Sequence, residues 1–158
     1  MITLDDVASL LHMPIIGAFH SFEPLLVDEA VVLLMELLEV LGEEARVEIV
    51  WAHGAYVCLS WLRDIYLRRR EAGRWIVAAR AYLFHLVGCT LFANKSATHV
   101  HVMHQEAIQD LGESGSYAWG AAALVHMYDL LNEASQSSRR HIVGYLTLLQ
   151  VNFLFVIC

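Results

Sequence analysis

The sequence predicts a mainly α, single compact helical domain with at most one or two short strands. Three observations carry that prediction. The chain has 158 residues, the length of one domain, and 58% of them are hydrophobic against 17% charged, where globular chains average about 45–50% and about 25%. Apolar residues recur at helical spacing behind recognisable caps and stops. Only two prolines and no long polar stretch occur, so no linker, repeat or low-complexity segment divides the chain.

The elements follow in order. Thr3 and Asp6 form a T-x-x-D start, a capping-box pattern with Asp in place of Glu, and Val7, Leu10 and Leu11 mark the buried face of a first helix. Met13-Pro14 stops it, because a residue before proline avoids the α region. Residues 15–22, with Gly17, read as a loop or a short extended pair. From Asp28 to Leu41 the acids Glu29, Glu36, Glu39 and then Glu43 form one thin polar stripe on an apolar helix, with Gly42 suited to the C′ position. Tyr56 to Leu59 suits a short strand, and Ser60 is placed to cap the helix WLRDIYLRRREA. Gly73 separates this from a helix over residues 74–92. A polar loop spans 94–98, a helix is expected from about Val100 to Leu111, and 112–115 form a turn. Ser116 is then expected to cap YAWGAAALVHMYDLLNEA, and SQSSRR leads to a last apolar helix.

Charge narrows the function. The formal net charge is −7, which disfavours a free-standing nucleic-acid module. Six of the ten basic residues nevertheless lie between Arg63 and Arg80, Arg68, Arg69, Arg70 and Arg74 among them. They are the candidate phosphate contacts. Eight of the seventeen acids lie between Glu23 and Glu48, so an internal network of arginine–carboxylate pairs is the cheaper account. Cys58, Cys89 and Cys158 form neither a CxxC pair nor a disulfide framework. No signal-peptide pattern stands where Asp5 and Asp6 follow Met1, and a reducing compartment, nuclear or cytosolic, is expected.

Catalytic motifs are absent from the sequence: no G-x-S-x-G, P-loop, GxGxxG or H-E-x-x-H occurs. His99, His101 and His104 are the densest set of candidate metal ligands. A strand would put His99 and His101 on one face, and a helix would put His101 and His104 together; neither gathers all three. Lys95 is the only lysine, hence the only Schiff-base candidate for a pyridoxal enzyme. Cys89 lies in an apolar stretch and reads as a packed thiol. Trp51, Trp61, Trp75 and Trp119 read as core or domain-contact residues. No metal and no cofactor is expected.

Five segments taken together resemble the plant mobile domain: ITLDDVASLLHMPIIG, LSWLRDIY, ARAYLFHLVGCTLFANKSATHVHV, DLGESGSYAWGAAALVHMYDLLNEAS and GYLTLLQ. Their order and spacing match over nearly the whole chain. The domain occurs in maintenance-of-meristems-like proteins, in long-form homologues of plant protein phosphatase 7, and in proteins of plant transposable elements. It is also called aminotransferase-like, a description to which one lysine lends no chemical support. The resemblance implies a non-catalytic nuclear protein acting in meristem maintenance, genome stability and transposon silencing. The implied mode is protein–protein interaction, with other nuclear proteins and a phosphatase-like partner among its contacts. A transposon-derived domain touching nucleic acid through Arg63 to Arg80 is the alternative. The motif residues Trp61, Leu62, Arg63, Tyr117, Trp119, Gly120 and Ala122 are expected to fix the fold, and Gly120 inside a helix implies close packing there.

Relatives carry sequence before ITLDDV and continue after LTLLQ with a CW-x-x-E-x-F-P pattern, so the chain reads as truncated at both ends. On this reading residues 1–150 are a partial plant mobile domain and 151–158 an aberrant apolar tail. Residues 142–158 carry no charge and approach the length of a membrane span. Gln150 and Asn152 in their middle make a membrane anchor the disfavoured reading. Gln-Val-Asn can be encoded as CAG-GTA-AAT, which resembles an exon end followed by a splice donor, and the tail is accordingly read as translated intron. Such a product has the nucleus as its expected location, with the cytoplasm as the alternative for a truncated chain.

Overall fold

The computed structural model describes residues 3–18, 25–92 and 98–136. Among them lie six α-helices, two short strands and two 3₁₀ segments, so the fold is mainly α. Helix α1 (Leu4–Leu11) starts on the capping box: the Thr3 amide and hydroxyl donate to the Asp6 carboxylate, and the Asp6 amide donates back to the Thr3 hydroxyl. It ends at His12, which adopts a left-handed conformation (φ 51°) just ahead of Pro14.

Helix α2 (Val27–Leu38) begins with the Leu26 amide donating to the Glu29 carboxylate at 2.9 Å. It stops three residues short of the expected end, because Glu39 turns left-handed (φ 53°). Gly42 is therefore not its C′ residue. It opens a further helix, α3 (Gly42–Trp51), where no element was expected. The reason is visible in α3's side chains. Ala45 and Ile49 face the core while Val47, Val50 and Trp51 face outward, so apolar residues surround the helix and blur the 3.6-residue period.

Strand β1 (Tyr56–Cys58) pairs antiparallel with β2 (His99–His101), placing Tyr56 opposite His101 and Cys58 opposite His99. The expected helix over 100–111 is thus replaced by β2 and a 3₁₀ segment over Val102–Ile108. His-Val-His-Val has the two-residue period of a strand: Val100 and Val102 are buried while His99 and His101 are half-buried. The Val102 amide also donates to the Ala55 carbonyl at 2.8 Å, extending the pairing.

Helix α4 (Leu59–Glu71) follows β1 directly, with Cys58 as its N-cap. Ser60 is inside the helix, its hydroxyl 3.1 Å from the Cys58 sulfur, so it does not cap. Gly73, at φ +70°, makes the left-handed turn that glycine accepts without strain and reverses the chain into α5 (Trp75–Thr90). Ser116 is likewise not a helix cap. It closes a 3₁₀ turn over Ser114–Ser116, donating its hydroxyl proton to the Glu113 carbonyl, and helix α6 (Trp119–Gln136) starts three residues later.

One core joins α2, α3, β1, α4, α5, β2 and the first 3₁₀ segment, with Phe84, Leu34, Leu38, Ile49, Leu62 and Ile65 among its largest fully buried side chains. A smaller cluster of Val7, Leu124 and Met127 seats α1 on α6. Among the described residues no helix is long and apolar enough to cross a membrane. Lys95, Arg139, Arg140, the expected last helix and the 151–158 tail lie outside the described residues.

Candidate functional site

The arginine segment is held by the acidic one. Arg69 spans the gap from α4 to the end of α2, donating from Nε to the Leu38 carbonyl at 3.1 Å and from its terminal nitrogen to the Glu39 carbonyl. These carbonyls lack partners within the helix, so the guanidinium acts as a C-cap supplied from thirty residues away. Arg68 pairs with Glu44 of α3, and Arg74 pairs with the Glu39 carboxylate. Arg46 reaches Asp28 at 3.1 Å. Arg70 lies over the Tyr66 ring, 5.5 Å from its centroid, and exposed Arg63 is 3.5 Å from its neighbour Asp64. Of the four arginines named as phosphate contacts, three therefore serve carboxylates or carbonyls of this chain, and Arg70 lies on a tyrosine ring.

The motif residues hold elements together. Leu62 is fully buried, and Trp61 packs half-buried on the core. Tyr117 forms a parallel bridge with Ala18, locked by the Ala18 amide to the Ser116 carbonyl (3.0 Å) and the Ala118 amide to the Ala18 carbonyl (3.2 Å). Trp119 donates its indole N–H to the Ser114 carbonyl at 2.7 Å and sits 6.5 Å from the Phe92 ring. It is half-buried. Gly120 packs as its helical position implies: a β-carbon there would come within 2.8 Å of Val7 and 3.1 Å of Ile15. Its amide donates to the Pro14 carbonyl at 2.9 Å. An apolar cavity of about 220 Å³ lies between α1's end, α5 and Trp119.

The structure brings two of the three candidate histidines near each other, the His101 and His104 rings standing edge-on with centroids 6.5 Å apart, and leaves His99 against another partner. His99 lies against Trp51, with ring centroids 5.9 Å apart, and His101 meets Tyr56 edge-on at 4.7 Å. The His101 Nδ1 accepts the Met103 amide at 3.1 Å. His104 is buried and stacked flat on Phe92 at 4.0 Å, and His126 packs edge-on against the same ring. Burial, and then the nearby His101 and His126, push the His104 imidazole down to about 3. Burial also lowers His101, and His85 is lowered by burial and by Arg63. Among the described residues no group of three or more His, Cys, Asp or Glu side chains could hold a metal ion.

Three readings of single residues need correction. Trp51 and Trp75 are 64% and 68% exposed and are not core residues. Cys89 is exposed, its thiol turned to the Leu86 carbonyl at 3.3 Å, because its position on α5 faces away from the core. The cleft beside Trp75, lined by Glu39, Arg74 and Arg80, was not visible in the sequence, since Glu39 and Arg80 meet only through the α2–α4–α5 packing. Trp75 directly after the Gly73-Arg74 break was the one available hint.

These features define a helical domain whose signature residues clamp its elements and whose arginines tie two helical pairs together. The chain belongs to the plant mobile domain family, whose model matches residues 1–155. It is similar to three Arabidopsis thaliana proteins. It is 40% identical to Protein MAIN-LIKE 2 over 63% of this chain and 15% of that protein, and 36% identical to Protein MAIN-LIKE 1 over 94% and 29%. It is 32% identical to Protein MAINTENANCE OF MERISTEMS over 94% of this chain and 30% of that protein. The chain thus spans less than a third of each relative's length. No solved structure matches it significantly.

Proposed function

We propose that this domain is a non-catalytic interaction module of a nuclear plant protein that acts in meristem maintenance, genome stability and transposon silencing. It works through complexes with other nuclear proteins, a phosphatase-like protein among them. The observation that carries this reading is the match to Protein MAINTENANCE OF MERISTEMS along 94% of the chain. A protein partner is favoured over nucleic acid because Arg68, Arg69 and Arg74 already serve carboxylates and carbonyls, and the formal net charge is −7.

The test is a chimera. The matched segment of MAINTENANCE OF MERISTEMS is replaced by this chain and expressed in plants lacking that relative. Restored meristem organisation with nuclear accumulation is the expected result. A chimera that accumulates in nuclei and fails to restore the meristem refutes the reading. Retention of the isolated chain on DNA that weakens steeply with added salt would instead favour phosphate contact.

A further inference from the structure

We infer that the cleft between the end of α2 and the first turns of α5 binds a carboxylate from an acidic, apolar-flanked peptide of a partner protein. The inference rests on the interaction-module reading and gives it a site. The cleft encloses about 470 Å³, and its walls are Glu39, residues 73–77 and Arg80.

Three observations converge there. Arg80 has its Nε buried with no hydrogen-bond partner among the described residues. A buried donor left unpaired is costly, and native proteins rarely retain one without a use for it. Second, the charges do not balance. Arg74 is matched by Glu39, which leaves the Arg80 guanidinium as the unmatched charge of the lining. One extra positive charge suits a carboxylate at −1, whereas a phosphate near −2 would face the Glu39 carboxylate with charge in excess. Guanidinium and carboxylate also match as planar forks. Third, the rim carries Trp75 and Ile76, 68% and 62% exposed. An exposed tryptophan beside arginine is the composition of an interface centre. The N-cap residue Arg74 makes no side-chain cap to the α5 N-terminus at the same cleft, which adds to its preference for an anion.

The experiment uses the 158-residue chain and a short capped peptide with a single glutamate between leucine and phenylalanine. Glutamine and phosphoserine versions serve as competitors. Binding is read from Trp75 indole resonances and by calorimetry. The glutamate peptide should bind, the glutamine version should bind at least about tenfold more weakly, and Arg80→Gln should reproduce that loss. Trp75→Ala alters only an exposed side chain, leaves the fold intact, and should also weaken binding severalfold. Equal binding of glutamate and glutamine peptides, tighter binding of the phosphoserine peptide, or unchanged affinity in both variants overturns the inference. Because binding is measured on isolated protein, the two proposals fail separately. Meristem rescue without peptide binding removes the cleft alone, and peptide binding without rescue removes the meristem role alone.

Discussion

Acid should unfold this domain through His104, and His104→Phe should remove much of that sensitivity. The imidazole is 5% exposed and stacked on Phe92, and its environment pushes it down to about 3 from an ordinary 6.5. The unfolded chain therefore takes up a proton between these values that the folded chain refuses. The contribution is fully present above pH 6.5 and is lost as pH falls toward the folded value, at about 1.4 kcal/mol per pH unit inside that window. From about pH 7.5 to about pH 4.5 the loss is roughly 2–3 kcal/mol, enough to consume a large share of a typical domain's stability. Phenylalanine keeps a flat ring on Phe92 and cannot titrate. Urea unfolding followed by circular dichroism at several pH values measures both proteins. His101 and His85 are lowered too and are present in both proteins, so the difference in slope isolates His104. Parallel stability-versus-pH curves for the two proteins would refute the reasoning, as would an imidazole NMR signal of His104 titrating near 6.5 in the folded protein.

Gly120→Ala should lower stability by about 1–3 kcal/mol, since the added β-carbon meets Val7 at 2.8 Å; a shortened Val7→Ala in the same chain should recover part of the loss, measured as Tm. Thr3→Ala should cost about 1 kcal/mol through the capping box, read as faster amide exchange in α1. Arg69→Ala should cost about 1–2 kcal/mol because it uncovers the carbonyls of Leu38 and Glu39. Arg68→Ala, which breaks a half-exposed ion pair with Glu44, should cost under about 1 kcal/mol in the same denaturation assay. Equal losses in the two arginine variants would show that the cap is not what Arg69 supplies.

How far the sequence was readable depends on whether a signal was local. The Thr3–Asp6 box and the Gly73 turn involve neighbours in the chain, and the α4 and α5 patterns are long, so all four were legible. The crowding of acids against arginines foretold ion pairs, but which partners meet depends on how α2 and α3 lie across α4. Helix α3 was missed because its outward Val47, Val50 and Trp51 hide the buried pair Ala45 and Ile49. The region after Thr98 was misread as helix because its hydrophobic count fits both periods; pairing of Val100 with Val57 decides for a strand. Ser60 and Ser116 look like caps in sequence, yet each helix boundary is set by a neighbouring strand or bridge. The exposure of Trp75 and the unpaired Arg80 nitrogen follow from packing alone.

The clamp between the N-terminal segment and α6 bears on synthesis. Pro14 and Gly120 share a hydrogen bond, yet they stand more than a hundred residues apart in the chain. During translation α1 leaves the ribosome first but cannot dock until α6 has emerged, long after the α4–α5 hairpin has its partners. Closing so large a loop carries an entropy cost and slows the step that depends on it. Until α6 emerges the nascent chain therefore carries Val7 undocked, which is the interval in which a chaperone would find it.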